Sequence, residues 1–164
     1  MAGVLPAIVI GIDPGKSGAL AAFVIQGDRY KLSVCLDFDE KTIVEYFKSV
    51  VYLQPEVFIE NVHAAPGQGV TSMFSFGKNF GWWLGLLASF LTEKNTHLVA
   101  PQSWSPTMLG HNPNYKKQNN KLVALDEARK LFGSTYFSRK KDNGRADASL
   151  IACYGIRYII KGLV

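Results

Sequence analysis

The sequence predicts an α/β protein built on a five-stranded mixed sheet flanked by helices. Three observations predict it. Three short β-rich runs separated by tight turns open the chain, two more apolar runs each follow a stretch of helical spacing, and helices close it. Antiparallel neighbours followed by alternating units give a single sheet of both strand senses, covered on both faces. At 164 residues, 48% of them hydrophobic, the chain reads as a single domain, 1–164, with enough apolar material for a proper core.

The first run, Ile8 to Asp13, and the run from Ala19 to Ile25 flank Pro14-Gly15-Lys16-Ser17-Gly18, which is turn chemistry, so they read as a hairpin. Gln26-Gly27-Asp28-Arg29 is another turn, before a third strand from Tyr30 to about Leu36. A helix is expected over Asp37 to Leu53. Asp39 is placed to cap it, Ile43, Val44, Phe47, Val50 and Val51 recur at helical spacing, and Gln54-Pro55 stops it. Glu56-Val57-Phe58-Ile59-Glu60 is a short buried strand, followed by a loop from His63 to Gly69.

A long helix is expected from about Val70 to Thr92, with glycines at 77, 81 and 85. Small residues every fourth position admit a close neighbour, either the protein's own sheet or a second helix. On the residues alone, the sheet is the stronger reading. Thr96 to Ala100 makes the fifth strand, and Pro101-Gln102-Ser103-Trp104 begins a short helix. His111 to Asn120 is polar and loop-like, and Lys121 to Phe132 is an amphipathic helix. After a connection rich in basic residues, the last helix runs from about Gly144 to Ile160. This order of elements is the one expected of an RNase H-like fold.

Charge and composition narrow the function. The formal net charge is +5 and the isoelectric point about 9.2, which suits a polyanionic partner. Cys35 and Cys153 lie in apolar runs without metal-ligand spacing, as buried free thiols of a reducing compartment do. No charged segment precedes the first apolar run, and Gly81 to Leu91 is too short to span a bilayer. The expectation is a soluble intracellular protein, without a membrane partner.

Four acids stand out. Asp13 ends the first strand and Glu60 the fourth, while Asp142 and Asp147 stand just before and inside the first turn of the last helix. If strands one and four are parallel neighbours, their ends meet, and a helix N-terminus brought there tolerates carboxylates. Oxygens converging in this way bind hard divalent cations, Mg²⁺ or Mn²⁺, and two such ions serve phosphodiester hydrolysis. Each acid also has a plainer reading: Asp13, Asp142 and Asp147 as caps, Glu60 as a lysine's partner. A basic surface borders them, with Lys116, Lys117, Lys121, Arg129, Lys130, Arg139, Lys140, Lys141 and Arg145, as contact with a phosphate backbone requires, although a solvated helix face explains Arg129 and Lys130 equally well.

Four blocks, in order along nearly the whole chain, resemble the RuvC-like Holliday junction resolvases, most closely the phage-type and plastid-type members. They are Gly11-Ile12-Asp13-Pro14-Gly15, Ile59-Glu60-Asn61-Val62, Val99-Ala100-Pro101-Gln102-Ser103-Trp104, and Lys140 through Ala152 with its Asp142-Asn143-Gly144-Arg145-Ala146-Asp147 core. The resemblance implies a homodimeric endonuclease with two Mg²⁺ ions per site, Mn²⁺ substituting, that nicks opposing strands of a four-way DNA junction. It implies Asp13, Glu60 and Asp147 as metal-binding acids. The fourth acid departs from the bacterial pattern: three residues before Asp147 stands Gly144, and the acid available is Asp142, five residues before, as in plastid-type members. The resemblance implies one ion between Asp13 and an acid of the last helix to activate water, and another between Asp13 and Glu60 at the leaving oxygen.

His63 takes the place of an aromatic side chain that stacks on junction bases in bacterial members, with Phe74 and Phe76 as alternatives. Lys16 and Lys117 or Lys121 are expected phosphate contacts, Arg139, Lys140, Lys141 and Arg145 line the terminal block, and the glycine-bearing helix corresponds to the family's dimer region. A bacterial or phage-infected cytoplasm is expected over an organelle. Two other readings stay open: a nuclease of relaxed specificity for other branched DNA, and a junction-binding module that does not cut. A phosphate-binding ATPase of the actin-like kind, suggested by the Asp13 turn, lacks room for its second domain.

Overall fold

The structure, a computed structural model, describes residues 6–61, 69–110 and 120–162, without the side chains of Asn120 and Lys121. Strands β1 (Ile8–Asp13), β2 (Ala19–Gln26) and β3 (Arg29–Asp37) form the antiparallel meander. Its register sets Asp13 beside Ala19 and Ala19 beside Asp37, in one row across the sheet. Asp37 is thus the last residue of β3 and not the opening of a helix. Helix α1 (Glu40–Val50) starts at Asp39, whose carboxylate accepts the Thr42 N–H at 2.8 Å, and ends in a 3-10 turn, Val51–Leu53.

Strand β4 (Glu56–Glu60) pairs parallel with β1, and β5 (Thr96–Val99) parallel with β4, giving the order β3-β2-β1-β4-β5. Four α-helices and a 3-10 turn, Glu93–Asn95, complete the described elements: α2 (Val70–Phe90), α3 (Pro101–Leu109), α4 (Asn120–Phe132) and α5 (Asn143–Ile160).

Strand alternation divides the core in two. Ile10, Ile12, Leu20, Ala22, Val57 and Ile59 face α1 and α2, against Ile43, Phe47, Trp83 and Leu87. Val9, Ala21, Phe23 and Phe58 face the other way, against α5 and residues of α3 and α4. Helix α5 lies directly on this second face. A Cβ on Gly11 of β1 would run into the Ala148 carbonyl oxygen, and one on Gly155 would run into the Phe58 ring. These two glycines let backbones approach where any side chain would hold them apart.

On α2 the outcome differs from the sheet-packing expectation. Trp83 and Leu87 are its buried residues, whereas Gly77, Gly81 and Gly85 are exposed and a Cβ on any of them would meet nothing within 4 Å. The glycine face points outward. Both cysteines are buried and free, and burial pushes the Cys35 thiol up to about 11. Among the described residues no helix is long and apolar enough to cross a membrane.

Candidate active site

The last paired positions of β1 and β4 are Ile12 and Ile59, so Asp13 and Glu60 are the next residues outward on neighbouring parallel strands. Asp13 shares the α5-facing side with Val9 and Gly11, and Glu60 shares it with Phe58. Both carboxylates therefore stand at one end of the sheet on one face. Asp13 is oriented by its turn, its Oδ1 accepting the Gly15 N–H at 2.9 Å. Gly18 folds back so closely that a Cβ there would strike the Asp13 carbonyl oxygen. The turn is buttressed from α2, where the Asn79 amide donates to the Gly15 carbonyl at 3.3 Å.

Glu60 is held from a third element. The indole N–H of buried Trp104, on α3, donates to Glu60 Oε1 at 2.9 Å. Burial pushes the Glu60 carboxyl up to about 7, the Trp104 bond opposes the rise, and the negative charge of Asp13 adds to it. The two acids thus feel one another, a repulsion that a cation between them relieves. Among the described residues no three His, Cys, Asp or Glu side chains already close into a metal cage.

Helix α5 reaches the same end of the sheet. Gly144 presses on the Ser17 carbonyl in the β1–β2 turn, and Ala148 lies on Gly11. Successive residues of a helix step round it by about 100°. On that count Arg145, Ser149 and Cys153 form one flank, and all three meet β3: Arg145 Nε binds Asp37 at 2.6 Å, Ser149 Oγ lies 3.5 Å from Cys35 Sγ, and Cys153 Sγ lies 3.8 Å from the Tyr30 hydroxyl. Asn143, Asp147, Tyr154 and Tyr158 form the opposite flank, toward β4 and β5. There the two tyrosines border a cavity of about 420 Å³ with Phe58 and His97. Asp147, half-buried, is on the flank of Glu60.

The structure places Asp142 differently from the other three acids. It sits at the helix start on the β3 side with only 1% of its side chain exposed. Its Oδ2 accepts the Arg139 backbone N–H at 2.7 Å and its Oδ1 the Arg139 Nε at 2.6 Å. Arg139 also binds Asp37 at 2.8 Å, and Asp37 in turn binds Arg145. Asp37, Arg139, Asp142 and Arg145 therefore make one ion network that ties the start of α5 to the end of β3. Arg139 and Arg145, expected at DNA phosphates, have carboxylate partners within the fold.

Lys16, Lys140 and Lys141 are exposed, and Phe74 is 75% exposed. Phe76 stacks on Phe80 instead, with ring centroids 6.3 Å apart. His63, Lys116 and Lys117 lie outside the described residues, as does the Lys121 side chain. Sequence reasoning missed Asp37 and the role of Trp104. Asp37 carried the signal used for Asp13 and Glu60, a carboxylate at a strand end, but was absorbed into the helix that follows.

A sheet of this order, antiparallel then parallel and covered on both faces, is an RNase H-like fold. Within that class the fold is RuvC-like. The chain is similar to RuvC of T. thermophilus, solved in complex with a Holliday junction substrate, with a TM-score of 0.65 over 95% of this chain and 96% of that one. The two are 19% identical. No protein-family model and no curated protein matches the chain.

Proposed function

We propose that this chain is a Mg²⁺-dependent, structure-selective endonuclease that resolves four-way DNA junctions by paired symmetric nicks. One observation carries the reading: Asp13 and Glu60 stand side by side at the end of a parallel strand pair, close enough for one charge to raise the other's pKa. Likeness in fold to a protein solved with a Holliday junction supports the substrate class. The acids fit a hard divalent cation, being oxygen donors whose mutual repulsion a cation removes. Asp13, Glu60 and Asp147 would hold it. When bound, two such ions supply an activated water and charge stabilisation at the leaving oxygen.

The chain's own residues orient and bind. The Gly15 N–H fixes the rotamer of Asp13, and Trp104 aims Glu60 and favours its ionised form. Lys16, Lys140 and Lys141, exposed around that end, hold backbone phosphates. Phe74 offers a ring to an unstacked base in the role expected of His63. Asp142 serves here by anchoring Arg139. We also read the chain as one nuclease domain of the phage-type or plastid-type branch, working as a homodimer joined along the outward glycine face of α2, in the reducing cytoplasm of a bacterial or phage-infected cell.

Cleavage of a labelled four-way junction with a fixed core tests the reading. Wild-type protein in Mg²⁺ should give paired symmetric nicks, and Glu60→Gln and Asp147→Asn should bind the junction without nicking it. Equal cutting of forks and flaps would replace the resolvase with a general branched-DNA nuclease. Binding without nicks from the wild type in both Mg²⁺ and Mn²⁺ would leave a junction-binding module.

A further inference from the structure

Resting on the metal-site reading above, we infer that Asn143, and not Asp142, supplies the fourth oxygen of the site, its amide Oδ1 serving the divalent ion held by Asp147. Asn143 Oδ1 is buried and has no hydrogen-bond partner. A buried amide oxygen is ordinarily satisfied, and one left orphaned at the start of the helix that carries Asp147 is available to a ligand. Asn143 and Asp147 are four residues apart on α5, so they share a face one turn from each other. That face looks toward β4, where Glu60 ends the strand.

Asp142 looks the other way. Its two oxygens accept from Arg139, and Arg139 and Arg145 carry the network on to Asp37 of β3. Where the bacterial pattern has its fourth ligand, this chain has Gly144, pressed on the Ser17 carbonyl with no room for a side chain. The next position that reaches the Asp147 flank is Asn143. An amide carbonyl is an ordinary oxygen ligand for hard cations, and its neutrality keeps down the repulsion already felt between Asp13 and Glu60.

Calorimetric titration of the whole protein with Mn²⁺, without DNA, decides it, with melting curves as the control for folding. Asn143→Ala should weaken Mn²⁺ binding about tenfold, Asn143→Asp should tighten it by adding charge, and Asp142→Asn should leave the affinity within about twofold of wild type while lowering the melting temperature. Should the alanine variant fail to fold, the aspartate variant decides alone. Wild-type affinity in either Asn143 variant, alongside a loss in Glu60→Gln, overturns the inference and leaves the metal site standing. Wild-type affinity in both Glu60→Gln and Asp147→Asn, or no Mn²⁺ binding by the wild type, removes the site and the inference together.

Discussion

The Trp104 indole N–H lies 2.9 Å from Glu60 Oε1, joining helix α3 to the end of β4. A hydrogen bond to the charged form of a carboxylate lowers its pKa, so this contact works against the burial that raises it. Trp104→Phe keeps most of the buried ring and deletes the donor. If the chain cleaves junctions as proposed, the acid limb of its pH–rate profile should then move up by about one unit.

Glu60 gives stability a pH dependence of definite sign. Its folded pKa, about 7, lies above its ordinary value of 4.5. Between those values the native state binds more protons than the unfolded state, so the contribution of Glu60 turns unfavourable as pH rises and is fully so above 7. Glu60→Gln should therefore melt above wild type at pH 8, by on the order of 1–3 kcal/mol, and level with it at pH 4. Millimolar Mg²⁺ should narrow the gap at pH 8 by stabilising the wild type alone.

The network at the start of α5 predicts an order of severity. Arg139→Ala leaves the buried Asp142 carboxylate without its hydrogen-bonded cation and with only Arg145 Nε, 4.0 Å away, whereas Asp37→Asn removes the exposed end of the same network. Thermal melts should rank Arg139→Ala well below Asp37→Asn, and Asp37→Asn slightly below wild type.

Glycines of two kinds should answer one substitution oppositely. Gly11→Ala forces β1 and α5 apart and should cost more than about 3 kcal/mol in denaturant unfolding. Gly81→Ala meets open space on a helix and should stabilise the monomer by up to about 1 kcal/mol.

If α2 joins two copies along its glycine face, an arginine at Gly81 keeps the backbones apart at no cost to the monomer's own packing. Sedimentation velocity should show a dimer for wild type and a monomer for Gly81→Arg, with melting of the monomer little changed. A wild-type monomer at tens of micromolar would remove the dimer from the proposal.

Most of the fold was legible in the sequence because hydrophobic period and turn chemistry act locally. The hairpin at Pro14 to Gly18, the Asp39 cap and the Pro101 start of α3 each declare themselves within a few residues. The pairing of Asp13 with Glu60 was legible through topology, since parallel strands joined through a helix bring their ends together. Long-range geometry was not. Spacing alone does not say that α2 turns its glycines outward and buries Trp83 instead. Nor does charge distinguish Arg139 and Arg145, which find Asp37 and Asp142, from Lys140 and Lys141, which stay exposed.

The placement of α5 bears on how the protein is made. The residues proposed to do chemistry come from the start, the middle and the end of the chain, and the last helix lies directly on the Val9–Gly11 face of β1. A nascent polypeptide halted between residues 61 and 142 holds Asp13 and Glu60 but lacks both Asp147 and the helix that packs on β1. Ribosomes that stall or terminate early thus release an unfinished chain with bare apolar strands, suited to proteolysis and without the full set of acids that the proposed cleavage needs.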